Sequence, residues 1–128
     1  MFSNNAFLTF NYPYKQNGYL SATSEHNIMI EGKIYNNVME YYNSAMMLTP
    51  EANNLDVMYL GLRTKFTQNN DICEKLLNTK NKVIIYNSKK DDYWGVGKGK
   101  TGENNLGVLL MMLRDDLRDM ENMMDIDG

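Results

Sequence analysis

The sequence predicts a small, mainly helical α+β domain with short strands or a hairpin near its N terminus and a long helix near its C terminus. Three observations lead to this fold class. The chain has 128 residues, the size of one domain, so we assign a single domain to residues 1–128. Strand-like runs and turn residues occupy the first third of the chain, and strong helical periodicity occupies the last quarter.

The first third is predicted to be mostly strand. Phe7 to Phe10 forms a short β-like run. Further on, Ile28 to Ile30 and Ile34 to Tyr35 flank the dipeptide Glu31-Gly32. Two apolar runs around such a dipeptide are typical of a β-hairpin.

The middle of the chain predicts three helices and a strand. The segment VMEYYNSAMML follows Asn36 and Asn37, either of which can cap a helix, and it ends before Pro50. Pro50 is predicted to open a second helix, because proline is tolerated in a first turn. Its apolar stripe is Leu55, Met58, Leu62 and Phe66. A shorter helix around Ile72 to Leu77 precedes a buried strand, Lys82 to Tyr86.

The final helix is the clearest element. Apolar residues recur at spacings of three and four, with charged residues between them. They are Leu106, Leu109, Leu110, Leu113, Leu117 and Met120. Residues 121–128 are predicted to be a frayed acidic tail. Residues 88–105, which contain four of the nine glycines, are predicted to be an irregular loop of functional length.

Composition argues against several classes of function. Cys73 is the only cysteine and His26 the only histidine, so neither a nucleophilic triad nor a zinc site is indicated. We predict no metal and no cofactor. The net charge of -3 argues against nucleic acid as a partner. No export signal or membrane span is recognisable, so we expect a cytoplasmic protein, in the host cytoplasm if it is viral. The oligomeric state stays open, a homo-oligomer included.

The loop combines lysines, glycines and aromatic residues. Between residues 75 and 100 there are seven lysines and only two acids. Such lysines can attract phosphates. A lysine-rich surface that is simply exposed to solvent gives the same pattern. The glycine spacing lacks that of a Walker loop. Asp91, Tyr93 and Trp94 precede the glycines, and Asn104 lies just before the last helix. Together these residues offer a carboxylate, an aromatic ring and a helix N terminus. Groups of these kinds can bind the sugar, the base and the phosphate of a nucleotide.

Residues 58–117 resemble the C-terminal half of the NADAR (YbiA-like) family. That family shows Lys-Phe-x-Gln-Asn, Leu-Leu-x-Thr, Asp-x-Phe/Tyr-Trp-Gly-x-Gly and Gly-x-Asn-x-Leu-Gly, then a helix with an arginine. The matching residues here are Lys65, Phe66, Gln68, Asn69, Leu76, Leu77, Thr79, Asp91, Tyr93, Trp94, Gly95, Gly97, Gly102, Asn104, Leu106, Gly107 and Arg114. Nearer the N terminus, Gly18, Leu20 and Ser21 match, as do Gly32, Lys33 and Tyr35.

The chain departs from the family pattern in its first helix. An ungapped alignment places Met39 where the family has its catalytic glutamate, whereas a one-residue insertion after Tyr35 places Glu40 there. In either register the family's lysine becomes Met46 or Met47. The segment after this helix is also shorter than is usual and lacks a tryptophan. These differences put catalysis, but not binding, in question.

The resemblance implies a site that acts on N-glycosidic bonds of ribosylated pyrimidines or of ADP-ribose attached to a nucleobase. It implies catalytic roles for Glu40 and Asp91. Ligand-binding roles fall to Ser21, Lys65, Tyr93, Trp94, Gly95, Lys98 and Asn104. Our first interpretation is a pocket that binds an ADP-ribose-derived or ribose-phosphate nucleotide, sequestering a nucleotide signal if the chain is viral. The alternatives are an active N-glycosidase and a structural or protein-interaction domain.

Overall fold

The computed structural model describes residues 6–127 and confirms the predicted fold class, a small α+β fold with a long C-terminal helix. The elements in chain order are β1 (Phe7–Phe10), a 3₁₀ helix (Gly18–Leu20), β2 (Ile28–Ile30), β3 (Lys33–Tyr35), α1 (Val38–Leu48), α2 (Asn54–Gln68), α3 (Asn70–Leu77), β4 (Val83–Tyr86) and α4 (Asn105–Asp127). Residues 1–5 and Gly128, the ends of the predicted domain, lie outside the described residues.

The chain divides into two compact units. Residues 10–72 form one, which we call the N-terminal unit. Residues up to Thr9 together with residues from Cys73 onward form the other, the C-terminal unit. The assignment of residues 1–128 to a single domain stays a prediction.

The hairpin of the N-terminal unit forms where the sequence predicts it. Strands β2 and β3 pair antiparallel, with Ile28 opposite Tyr35 and Ile30 opposite Lys33. Glu31 and Gly32 connect them with φ of 53° and 80°. Two consecutive positive φ values are the signature of a type I′ turn, whose twist matches that of the strands.

The two long helices of this unit both begin at an asparagine cap. The Asn37 side chain accepts from the backbone N–H of Glu40, so α1 begins as predicted. Helix α2 begins later than predicted, because it starts after a cap at Asn53 and not with Pro50 in its first turn. The Asn53 Oδ1 accepts from the N–H groups of Leu55 and Asp56 at 3.0 and 3.1 Å, whereas Pro50 lies in a turn.

Helices α1 and α2 pack closely in the core of this unit. A Cβ added at Gly61 of α2 would lie 2.9 Å from Val38 Cγ1 and 3.0 Å from a Tyr41 ring carbon of α1. The absent side chain therefore lets the helices approach. The buried apolar residues of the unit include Leu20, Ile28, Val38, Met58, Leu62, Phe66 and Ile72.

In the C-terminal unit, α4 packs on β4, which pairs with β1 in a two-stranded sheet. The predicted stripe of α4 is buried except for Met120, which is 38% exposed. Residues 121–128 were expected to form a frayed tail. Helix α4 instead continues through Asp127, the last residue that the structure describes. Met and Glu are good helix formers, which favours this continuation. Within residues 6–127 no helix is long and apolar enough to cross a bilayer.

Candidate functional site

The loop between β4 and α4 is held in place by its own main chain. Val96 N–H donates to Tyr86 O at 3.1 Å, and Gly102 N–H donates to Val96 O at 2.8 Å. Glu103 N–H in turn donates to Asp92 O at 2.8 Å. As predicted, the loop contains no helix or strand, but these cross-links fold it back on itself. Its side chains therefore project from an ordered main chain.

Asp91 organises the aromatic pair of this loop. Its Oδ1 accepts from Tyr93 N–H at 3.0 Å and from Trp94 N–H at 2.8 Å, an Asx-type turn. The Tyr93 and Trp94 rings lie edge to face, with centroids 4.9 Å apart, and both are half-buried. One carboxylate oxygen of Asp91 thus fixes the main chain from which the two rings project.

The start of helix α4 is occupied by this loop. Asn105 N–H donates to Tyr93 O at 3.1 Å, and Leu106 N–H donates to Trp94 O at 3.0 Å. The first-turn N–H groups of a helix are its anion-binding groups. The expectation that this N terminus receives a phosphate is therefore wrong for these two donors, because loop carbonyls already bind them.

Asn104 bonds to the strand that precedes the loop. Its Oδ1 accepts from Tyr86 N–H at 2.9 Å, and its Nδ2 donates to Ile84 O at 3.0 Å. The side-chain amide thus bonds to one backbone donor and one backbone acceptor of β4, as a neighbouring strand would. Its φ of 54° is one that asparagine tolerates. The ligand-binding role of Asn104 stays a prediction, but both ends of its amide are engaged by the fold.

Two further predicted residues of this loop differ in their surroundings. Gly95 is buried, and a Cβ there would lie 2.8 Å from Tyr86 O and 2.9 Å from Asp91 O. The close approach of main chain to main chain therefore requires glycine. Lys98 is exposed and lines a hollow of about 580 Å³ together with Lys89 and Lys90.

In the N-terminal unit the structure brings Lys65 and Ser21 together. The Lys65 Nζ is completely buried and donates to Tyr19 O at 2.5 Å and to Ser21 O at 2.8 Å. The Ser21 hydroxyl, also buried, shares a hydrogen bond of 2.8 Å with Thr23 Oγ1. Desolvation by burial lowers the pKa of Lys65 from 10.5 to about 7. The two hydrogen bonds from Lys65 Nζ hold the C-terminal end of the 3₁₀ helix, at Tyr19 and Ser21.

This buried lysine gives folding a defined pH dependence. Between pH 7 and 10.5 the unfolded chain binds more protons at Lys65 than the folded chain, so stability rises with pH across that window. We expect the free energy of unfolding in urea to rise by about 1–2 kcal/mol from pH 8 to 9.5. Lys65→Met should flatten this rise. It should also lower stability by about 1–3 kcal/mol, because the two carbonyls lose their donor. An equal slope in both proteins would contradict the assignment.

Glu40 lies in the first turn of α1 with its side chain exposed, whereas Met39 is half-buried. The backbone N–H of Met39 donates to Ala22 O at 3.0 Å, which ties this turn to the residue after Ser21. A first-turn carboxylate interacts favourably with the helix dipole. The Glu40 carboxylate is thus accessible to a ligand from solvent.

The predicted residues therefore fall into two groups, each within its own unit. Ser21, Lys65 and Glu40 belong to the N-terminal unit. Asp91, Tyr93, Trp94, Gly95, Lys98 and Asn104 belong to the loop of the C-terminal unit. Their catalytic and binding roles stay predictions. Sequence reasoning missed that Lys65 is buried and that Asn104 bonds to β4.

Neither the cysteine nor a metal cluster adds to these groups. Burial raises the pKa of the Cys73 thiol, and the negative charges of Glu121 and Glu74 raise it further, so the thiolate is disfavoured. Among the side chains that the structure describes, no three His, Cys, Asp or Glu residues converge as a metal-ligand set.

Part of this chain is similar in sequence to curated proteins that are named N-glycosidases. N-glycosidase Npun_R5314 of Nostoc punctiforme is 38% identical over 64 residues, 50% of this chain and 41% of that protein. N-glycosidase YbiA of Shigella boydii is 41% identical over 61 residues, 48% of this chain and 38% of that protein. The aligned part thus spans less than half the length of these curated relatives.

Two further comparisons concern the fold and the family. The NMR structure of the E. coli protein YbiA superposes with a TM-score of 0.78 at 22% identity, covering 94% of this chain and 89% of that one. This likeness extends the shared fold over nearly the whole chain. The family model of the NADAR domain matches residues 49–118, more than half of the chain and all of the loop built around Asp91. The chain therefore belongs to the NADAR family.

Proposed function

We propose that this chain is an N-glycosidase that hydrolyses the bond between a ribose-derived sugar and a nitrogenous base. The observation that carries the proposal is the ordered loop around Asp91, Tyr93 and Trp94. It lies inside residues 49–118, the part of the chain that matches the NADAR domain, and several relatives of the chain are named N-glycosidases.

The residues supply the groups that this reaction needs. An N-glycosidic bond breaks through a state in which positive charge develops at the anomeric carbon, and a carboxylate stabilises that charge or activates water. We assign this role to Glu40, whose carboxylate is open to solvent. Trp94 offers a half-exposed ring on which a base or sugar can stack. Asp91 uses Oδ1 to hold the loop, which leaves Oδ2 as the oxygen to contact the substrate.

A second candidate is a non-catalytic protein that binds an ADP-ribose-derived nucleotide, with sequestration of that nucleotide as its use. The surroundings of α1 favour it. Its exposed Glu40 has no second charged group supplied by the helix, because methionines stand at the positions of the family's lysine. Met46 is half-buried and Met47 is exposed. A binder of this kind would keep its ligand intact.

The two candidates are separated by incubating the purified protein with ADP-ribosylated guanosine and with a ribosylaminopyrimidine phosphate. Catalytic release of free base, followed by chromatography, supports the glycosidase. Retention of the intact nucleotide in native mass spectrometry, without release of base, supports the binder. Failure to bind or to cleave either compound would contradict both.

Substitutions of Asp91 test whether its carboxylate acts on the substrate as well as on the loop. Asp91→Asn keeps an oxygen that can accept from Tyr93 and Trp94 N–H, so the protein should fold as the wild type does. Base release should nevertheless fall by about 10²-fold or more, because the charge is lost. Asp91→Ala should in addition destabilise the protein by about 1–3 kcal/mol. Full activity in a folded Asp91→Asn protein would assign Asp91 to the loop alone.

A further inference from the structure

Lys65 has no exposed surface with which to contact a ligand directly. The residue lies in α2, is completely buried, and donates from its Nζ to the backbone oxygens of Tyr19 and Ser21. These two residues lie at the C-terminal end of the 3₁₀ helix, and we call Tyr19 to Ser21 the clamped segment. Any effect of Lys65 on a bound ligand therefore has to pass through this segment.

The side chain of Lys65 supplies hydrogen bonds that an apolar residue would lack. Burial disfavours the charged ammonium and lowers the pKa of Lys65 to about 7. A methionine of similar length would avoid this desolvation, but the carbonyl oxygens of Tyr19 and Ser21 would then lose their donor. What the lysine contributes is thus the fixed position of the clamped segment.

The clamped segment is bonded to the first turn of α1. Ala22 directly follows it, and the Ala22 carbonyl oxygen accepts from the backbone N–H of Met39 at 3.0 Å. Met39 in turn precedes Glu40, whose carboxylate is the proposed catalytic group. Hydrogen bonds and a short stretch of main chain therefore connect Lys65 with this carboxylate, all within the N-terminal unit.

Ala22 cannot move independently of the clamped segment, because hydrogen bonds bridge the chain across it. The Ser21 hydroxyl accepts from Thr23 N–H at 3.2 Å. Ser21 O accepts from Ser24 N–H at 3.2 Å and from Lys65 Nζ at 2.8 Å. Ala22 itself is only 3% exposed. A displacement of Ser21 therefore shifts the oxygen that holds the first turn of α1.

We propose that Lys65 is a positioning residue for the hydrolysis. It holds the first turn of α1, and with it the Glu40 carboxylate, at the place from which this group acts on the anomeric carbon. This role rests on the proposed function. A reacting group has to lie within a narrow range of positions, and a displacement of about 1 Å can slow a reaction about 10²-fold. Loss of the two hydrogen bonds to the clamped segment should therefore slow the reaction without weakening binding.

The test compares the steady-state kinetics of Lys65→Met with those of Gln68→Met, a matched control in the same helix. Gln68 also forms two hydrogen bonds to main chain, with Met29 N–H and Met29 O at 2.9 Å each, but these lie in β2. We expect Lys65→Met to lower kcat for base release by about tenfold or more and to keep KM within about threefold. Gln68→Met should keep both constants within about threefold of the wild type.

A double-mutant cycle with Glu40→Gln separates positioning from a general loss of structure. If Lys65 acts through the Glu40 carboxylate, Lys65→Met should slow the Glu40→Gln protein by less than about threefold, because the group that it positions is already gone. Rate losses that multiply in the double variant would overturn the proposal. A wild-type kcat in a folded Lys65→Met protein would overturn it as well.

Hydrogen exchange of the Met39 amide, followed by two-dimensional NMR, tests the same link without catalysis. In Lys65→Met this amide should exchange about tenfold or more faster than in the wild type, because the carbonyl that it bonds to is no longer held. In Gln68→Met the change should be less than about threefold. Equal exchange rates in the two variants would contradict the link between Lys65 and α1.

A second variant covers the case in which Lys65→Met does not fold. Met39→Pro breaks the link at α1, because proline has no N–H and is tolerated in the first turn of a helix. It should lower kcat by about tenfold or more, since the first turn is no longer bonded to Ala22 O. Hydrolysis by Met39→Pro at the wild-type rate would overturn the proposal.

The outcomes keep the positioning role and the proposed function apart. If the wild type releases base but Lys65→Met changes neither kcat nor the exchange of the Met39 amide, Lys65 has no positioning role and the proposed function stands. If no riboside loses its base, the hydrolysis is wrong and the positioning role falls with it. Faster exchange of Met39 in Lys65→Met would then assign Lys65 to the structure of α1 alone.

Discussion

Replacing Gly107 with alanine is expected to destabilise the C-terminal unit by more than about 3 kcal/mol. A Cβ at this position would lie 2.2 Å from Ile84 O and 2.5–2.6 Å from the side-chain amide atoms of Asn104. Neither can move freely, because Asn104 Nδ2 is itself bonded to Ile84 O at 3.0 Å. The methyl group therefore has to push the first turn of α4 away from β4.

The size of the effect follows from what this contact supports. Gly107 lies in the turn of α4 that follows Asn104, whose amide satisfies both Ile84 O and Tyr86 N–H. Displacing the turn breaks these hydrogen bonds as well as the packing, and a small domain is stable by only about 5–15 kcal/mol in total. Thermal or urea unfolding followed by circular dichroism measures the loss.

Gly99→Ala is the matched control in the same unit. Its added Cβ would meet only Thr101 Oγ1, at 3.7 Å, and its φ is not positive. The free energy of unfolding should change by less than about 0.5 kcal/mol, or increase slightly because alanine restricts the unfolded chain. A Gly107→Ala protein as stable as Gly99→Ala would show that α4 does not depend on this contact.

The sequence predicts best those elements that depend on residues close together in the chain. Helix α4, helix α1 and the β2–β3 hairpin follow from apolar periodicity and from cap and turn residues close to them in the chain. The start of α2 differs from the prediction because Pro50 and Asn53 both suit a helix N terminus. Only the two hydrogen bonds accepted by Asn53 decide between them.

The contacts that shape the candidate site join residues far apart in the sequence. Lys65 bonds to Tyr19 and Ser21, which lie 46 and 44 residues earlier, and Asn104 bonds to Ile84, 20 residues earlier. Local patterns give no information on such pairs. The family motifs indicated that both residues matter, but lysine and asparagine serve equally well as ligand contacts and as structural clamps. Only their partners distinguish the two roles.

The second large effect is expected at Glu40, where substitution by glutamine should slow base release by about 10²–10⁴-fold. The substitution keeps the shape of the side chain and removes the negative charge that, in the proposed reaction, stabilises positive charge at the anomeric carbon or activates water. Folding should hardly change, because the Asn37 cap bonds to the backbone N–H of Glu40 and the carboxylate is exposed. The rate of base release at saturating substrate is the measurement.

Asp56→Asn is a close control, because Asp56 takes the same place in α2 that Glu40 takes in α1. Each lies in the first turn, is exposed, and donates its backbone N–H to the asparagine cap of its helix. Both substitutions therefore remove a favourable interaction with the helix dipole, worth about 0.3–1 kcal/mol. Only Glu40→Gln should impair hydrolysis. If both variants release base at the wild-type rate, Glu40 merely stabilises its helix, and the catalytic carboxylate has to be sought elsewhere in the chain.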